Sequence, residues 1–159
     1  MQQLQSGRHF LQIPGPTNVP NRILRAIERP TIDHRGPEFK GLCFEVLESI
    51  KEIFQTRQPV IIFPASGTGA WEAALVNTHS AGDRLLMYDT GHFASTWDKL
   101  AIKLGLEAQL LPGSWREGAK PDEIEHILAK DKDRSIKSVC VVHNDTATGI
   151  TSDIPAIRK

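Results

Sequence analysis

Short apolar runs alternate with segments of helical period along most of this chain, about every 20–25 residues, and that alternation restricts the fold more than any other feature. The runs are Val60–Phe63, Arg84–Tyr88, Leu106–Leu111 and Ser138–Val142; the helical segments between them are Ala70–Thr78, His92–Leu104 and Pro121–Lys130. Strand and helix in regular succession predict an α/β fold, a three-layer αβα arrangement around a largely parallel sheet. Ser138–Val142 is apolar enough to be expected buried on both faces, whereas Glu107 and Gln109 interrupt Leu106–Leu111 and place it near an edge. In His92–Leu104 the residues Phe93, Trp97, Leu100, Ala101 and Leu104 share one face, and Gly105 stands where such a helix ends. Pro121–Lys130 opens on proline, carries acid in its first turn and closes on Lys130, which suits the helix dipole.

The N-terminal third follows other rules. Pro14-Gly15-Pro16-Thr17-Asn18-Val19-Pro20 is incompatible with a helix, since proline lacks the N–H and restricts the residue before it. Residues 1–20 therefore read as an irregular arm, expected to bury Phe10, Leu11 and Ile13, with residues 21–159 forming part of a layered domain. Asn21–Glu28 is a short helix, Pro30–Pro37 a proline-bracketed loop, and Glu38–Thr56 an amphipathic helix with Phe39, Leu42, Cys43, Val46, Ile50, Ile53 and Phe54 at three- and four-residue spacing. At the other end Asp153 is placed to cap a helix opening at Pro155. The sequence stops at Lys159, just after a strand-to-helix loop where a further strand is expected, so the chain reads as the N-terminal portion of a larger protein.

Charge and cysteine usage narrow the partners. Lys+Arg and Asp+Glu both number 19, a balance that argues against nucleic acid as the main partner, because a basic footprint is what phosphate backbones demand. Two cysteines, Cys43 and Cys140, lie far apart without metal-type spacing and are expected to be buried thiols in a reducing compartment. A polar N-terminus and the lack of a membrane-length apolar run complete the expectation of a cytoplasmic protein.

The chemistry is expected on the loops that follow strands, where open α/β sheets bind ligands. Ala65–Ala70, Asp89–Phe93 and His143–Gly149 are such loops, each rich in Gly, Ser, Thr, Asn or His. The first breaks an apolar run at Pro64 and resumes as a helix, with Ser66 and Thr68 hydroxyls and Gly67 and Gly69 at the turn. Free N–H groups at a helix start, open to close approach, suit an anion; a tight connection that binds nothing is the alternative. Gly67-Thr68-Gly69-Ala70-Trp71-Glu72 begins like a dinucleotide fingerprint but puts Glu72 where a third small residue belongs. With Asp89 available as a ribose ligand, an NAD(P)-binding oxidoreductase domain stays open, as does a non-catalytic fragment that needs a partner chain. No Gly-Lys-Ser/Thr follows for a Walker loop, and Ser66 lacks the flanking glycine of a nucleophile elbow. His143, Asp145 and His92 do not have the spacing of a metal site and read better as hydrogen-bonding loop residues.

Four motifs in order, P-G-P-T-N at Pro14–Asn18, D-H-R-G-P-E-F at Asp33–Phe39, S-G-T-G-A-W-E-A-A-L at Ser66–Leu75 and H-N-D-T-A-T-G at His143–Gly149, resemble the class V, fold-type I pyridoxal-phosphate aminotransferases. Within them the serine–glyoxylate group is most similar, with the alanine–glyoxylate group next, and the likeness runs over nearly the whole chain. It implies the large domain of that fold, pyridoxal 5′-phosphate as cofactor, an amino acid and glyoxylate as substrates, and a homodimer. Carried over, it implies that Ser66, Gly67, Thr68 and Gly69 hold the cofactor phosphate, that Phe93 stacks on the pyridine ring, and that Thr146 lies near the ring substituents. It implies that Asn18, His34 and Arg35 border the active-site entrance. The aspartate that pairs with the pyridinium nitrogen and the Schiff-base lysine match no residue here; Lys137 and Lys159 read as surface charges. The expectation is therefore a fragment that is inactive alone.

Overall fold

The computed structural model describes residues 11–159, which divide into two compact units, residues 11–64 and 65–159. Phe10, whose burial the sequence suggested, lies outside the described residues.

In the first unit residues 11–20 have no regular structure, and Leu11 and Ile13 are about half exposed rather than buried. Helix α1 runs Asn21–Ile27 and α2 runs Pro37–Ile53, ending three residues earlier than the apolar spacing suggested because Phe54 closes the last turn and Gln55 takes a left-handed φ of 50°. No residue of either helix is buried, and Cys43 is half-buried, so the amphipathic stripe of α2 is present while its expected burial is not.

Val60–Phe63 is not a strand. No backbone partner pairs with it among the described residues, and Ile61 and Ile62 are 79% and 59% exposed. Apolar composition alone does not make a strand; the ladder needs a neighbour to receive its N–H and C=O groups.

The second unit contains helix α3 (Gly67–Thr78), strand β1 (Arg84–Tyr88), helix α4 (His92–Lys103), strand β2 (Glu107–Leu111), helix α5 (Pro121–Lys130) and strand β3 (Ile136–Cys140). A two-residue hairpin, β4 (Asn144–Asp145) and β5 (Ile150–Thr151), and a short helix α6 (Ile154–Ile157) follow. The sheet is parallel, in the order β2-β1-β3. Leu85 and Met87 point to one face, where Leu75 of α3, Ala101 of α4, Leu106 and Cys140 close the core. Leu86 and Tyr88 point to the other, against Ala119, Ile124 of α5 and Ile157 of α6. Alternation along one strand thus feeds two cores, and the three layers follow.

The strand buried on both faces is β1 and not β3, which starts two residues before the expected segment, exposes Lys137 and buries only Cys140 fully. A bulge at Lys137, where the register moves from Arg84↔Ile136 to Leu85↔Ser138, loosens the start of that pair. β2 lies at an edge of this sheet, as its polar residues suggested. At the end of α4, Gly105 adopts φ 79°, and the Gly105 and Leu106 N–H groups donate to Ile102 and Ala101, a Schellman closure that requires the glycine. Asp153 caps α6 by accepting the Ala156 N–H at 3.0 Å.

Candidate functional site

α3 begins at Gly67, three residues before the expected helix, and Ser66 is its N-cap in extended conformation. The Ser66 side chain makes no cap bond, although a serine there ordinarily accepts an N–H of the first turn. Gly69 donates to the Ser66 carbonyl at 2.9 Å. The N–H groups of Gly67 and Thr68, at the first two helical positions, have no intrahelical acceptor. Among the described residues no heavy atom lies within 4 Å of where a Gly67 Cβ would sit, and Ser66, Gly67 and Thr68 are exposed. The result is an open cup of backbone donors and two hydroxyls at the positive end of a helix dipole.

Phe93 is the second residue of α4 and half-buried. Its ring meets Trp71 of α3 edge-on, with centroids 6.2 Å apart and planes at 69°, and His92 at 5.4 Å and 75°. Neither ring lies flat on it. Trp71 in turn stacks on Trp97 at 5.4 Å and 18°. The aromatic contacts therefore tie the N-terminal halves of α3 and α4 together.

Thr146 is exposed in the turn between β4 and β5. The expected loop over His143–Gly149 is in fact this hairpin, held by Asn144 Nδ2 donating to Thr151 Oγ1 at 2.7 Å and by Gly149, at φ 74°, donating to the Asp145 carbonyl. The hairpin is joined to the start of α4 at Asp145, whose carboxylate is 1% exposed. Asp145 Oδ1 accepts the Ala147 N–H at 3.0 Å, and Oδ2 accepts the Ala94 N–H at 3.4 Å. Thr148 Oγ1 donates to the Thr90 carbonyl at 3.3 Å. Thr90 is fully buried, and its own hydroxyl has no partner among the described residues.

Ser66–Gly69, Phe93 and Thr146 all lie in the second unit, where Trp71 joins α3 to Phe93 and Asp145 joins the hairpin to the start of α4. Asn18, His34 and Arg35 belong to the first unit, where Asn18 Oδ1 accepts the Leu11 N–H at 2.8 Å and Asp33 Oδ1 accepts the Arg35 N–H at 2.9 Å. Sequence reasoning missed Trp71 as the neighbour of Phe93, although its place one turn after Gly67 was a signal. It also missed how Asp145 is used. The clue was Gly91, a helix N-cap with no side chain to cap with.

Asp89, the candidate ribose ligand, already uses Oδ1 to accept from Ser95 Oγ at 3.0 Å and from Trp115 Nε1 at 2.9 Å. Those bonds tie the end of β1 to α4 and to the loop after β2. Near them the Asp98 carboxyl is pushed above its ordinary range, by burial first and by the Asp89 charge second. Among the described residues no group of three or more His, Cys, Asp or Glu side chains is placed to hold a metal ion.

The donors and rings present suit a phosphorylated, flat cofactor, and the comparisons with known proteins agree. A family model described as aminotransferase class-V matches residues 9–159. The chain belongs to the class V aminotransferase family, whose members use pyridoxal phosphate. A serine–glyoxylate aminotransferase of Methylorubrum extorquens is 46% identical over 96% of this chain and 38% of its own length. An L-aspartate–glyoxylate aminotransferase of Paracoccus denitrificans is 43% identical over 92% of this chain and 37% of its own. Among solved structures, a subgroup IV aspartate aminotransferase from Thermus thermophilus superposes with a TM-score of 0.82 at 27% identity, over 94% of this chain and 41% of that one. The chain thus spans about two-fifths of the length of the relatives it matches.

Proposed function

We propose that this chain supplies the phosphate- and ring-binding loops of a pyridoxal-phosphate aminotransferase that moves the amino group of L-serine to glyoxylate, giving hydroxypyruvate and glycine. The observation that carries this reading is the open N-terminus of α3 in a class V chain, where two N–H groups and the Ser66 and Thr68 hydroxyls have no partner among the described residues. Glyoxylate is the named acceptor of relatives with different donors, serine and aspartate, so the acceptor is the firmer half of the substrate pair and serine the donor of the more similar relative. L-alanine is the next donor to test.

In this account Ser66, Gly67, Thr68 and Gly69 bind the phosphate, the Phe93 ring covers the cofactor ring, and the Thr146 hydroxyl bonds a ring substituent. When bound, the cofactor supplies the electron sink that lets an amino acid lose its α-proton. No lysine in the chain sits on these loops, and Lys137 and Lys159 are exposed, so the group that moves that proton comes from outside these 159 residues. Asn18, His34 and Arg35 border the substrate entrance, and the assembly is a cytoplasmic homodimer. Both cysteines are free, which is consistent with a reducing compartment.

The test is an assay with L-serine, L-alanine or L-aspartate, glyoxylate and pyridoxal phosphate, against a protein-free control. A longer protein containing this chain is expected to form hydroxypyruvate from serine, while the 159 residues alone match the control. Hydroxypyruvate from the chain alone, or no transfer to glyoxylate by the longer protein, contradicts the reading.

A further inference from the structure

The first turn of α4 lacks a cap of its own. Gly91 occupies the N-cap position, and the N–H groups of the opening residues, Phe93 and Ala94 among them, need an acceptor that glycine does not provide. The acceptor comes from a different loop. Asp145, buried to 1% exposure, places Oδ2 3.4 Å from the Ala94 nitrogen, the third helical residue, where a cap side chain ordinarily reaches. That distance is long for a hydrogen bond, but a carboxylate at the positive end of a helix also gains from the dipole.

Gly91 is shaped around this carboxylate. A Cβ added there would lie 2.6 Å from the Asp145 Cγ and Oδ2 and 2.9 Å from Oδ1. The other carboxylate oxygen holds the Ala147 N–H, and the Thr148–Thr90 bond laces the same two loops a second time. One buried group is thus flanked on one side by Phe93, the residue before Ala94, and on the other by Thr146, the residue after Asp145.

We infer that Asp145 is a positioning residue: its carboxylate caps α4 in place of Gly91 and thereby fixes the Phe93 ring and the Thr146 hydroxyl relative to each other. The purpose assigned to that spacing, to receive a flat cofactor, rests on the proposed function above; the cap itself does not. A buried carboxylate is an expensive way to close a turn unless its hydrogen bonds set a geometry that a packed apolar residue does not.

The test uses the 159-residue protein with Asp145→Ala and Asp145→Asn, and two readouts. Without ligand, amide hydrogen exchange by NMR is expected to run about fivefold faster at Ala94 in Asp145→Ala, the loss of one cap. The Asp145→Asn variant falls between, since its carboxamide oxygen still accepts one of the two N–H groups. Unchanged exchange at Ala94 overturns the cap. With pyridoxamine 5′-phosphate, Asp145→Ala is expected to lose the circular dichroism induced in the cofactor band, and Asp145→Asn to restore part of it. A structural role alone would lower the melting temperature and leave that band intact, so wild-type ellipticity in a folded Asp145→Ala overturns the positioning role. If the wild type itself shows no binding, the proposed function fails while the exchange readout still decides on the cap. If Asp145→Ala does not fold, Asp145→Asn carries both readouts, and wild-type values in both overturn the inference.

Discussion

Tyr88 ends β1 with its ring 3% exposed and its hydroxyl donating to Glu123 Oε2 at 2.6 Å. Burial first, and the Glu123 carboxylate second, push its pKa from 10.0 to about 12. The folded state therefore holds the phenol proton more tightly than the unfolded chain does. That contribution to stability is fully present below pH 10.0 and is lost as the pH rises towards about 12. Because Tyr88 is the sole tyrosine, the tyrosinate absorbance of the native protein reports it alone, and its midpoint is expected well above that of the denatured chain. Coincident midpoints contradict the buried pair. Gly91 gives a second prediction at this scale. Gly91→Ala drives a Cβ into the Asp145 carboxylate and is expected to destabilise by about 1–3 kcal/mol in denaturant melts. Gly67→Ala meets nothing within 4 Å among the described residues and is expected to melt like the wild type while weakening phosphate binding. The Asp145 role was illegible beforehand because the two loops are 51 residues apart, and nothing local to either says they touch.

At the scale of elements, β1 holds the layers together. Leu85 is fully buried against Leu75, Ala101 and Cys140, so Leu85→Ala is expected to cost about 3 kcal/mol in stability, measured by chemical denaturation. A cost under 1 kcal/mol would mean that this face is not the core. The boundaries of β1, β2, α4 and α5 were legible because periodicity, Gly105 and Pro121 are local signals. Strand order was not. Ser138–Val142 has the more apolar sequence, yet β1 takes the centre, since which strand is flanked on both sides depends on pairing far along the chain. Val60–Phe63 fails for the same reason, as a run that reads as a strand but has no ladder partner among the described residues. The β4–β5 hairpin was hidden because two-residue strands are too short to alternate.

At the scale of the molecule, α2 presents Phe44 at 60% and Ile53 at 80% exposure, with Phe54 at 63% beyond its end. Surface of that kind associates in water, so sedimentation is expected to find species larger than the monomer; a monodisperse monomer contradicts this. The central claim concerns the loops, and it is tested most directly by titrating the protein with pyridoxamine 5′-phosphate and, separately, with pyridoxamine, following tryptophan fluorescence. The amine form makes no Schiff base with surface lysines, so binding reports the loops alone. Trp71 lies between the α3 cup, Phe93 and Trp97, where a bound ring would quench it. The account predicts saturable quenching by the phosphorylated compound, little by pyridoxamine, and loss of the difference in Thr68→Val. Equal quenching by both compounds, or none by either, would contradict it.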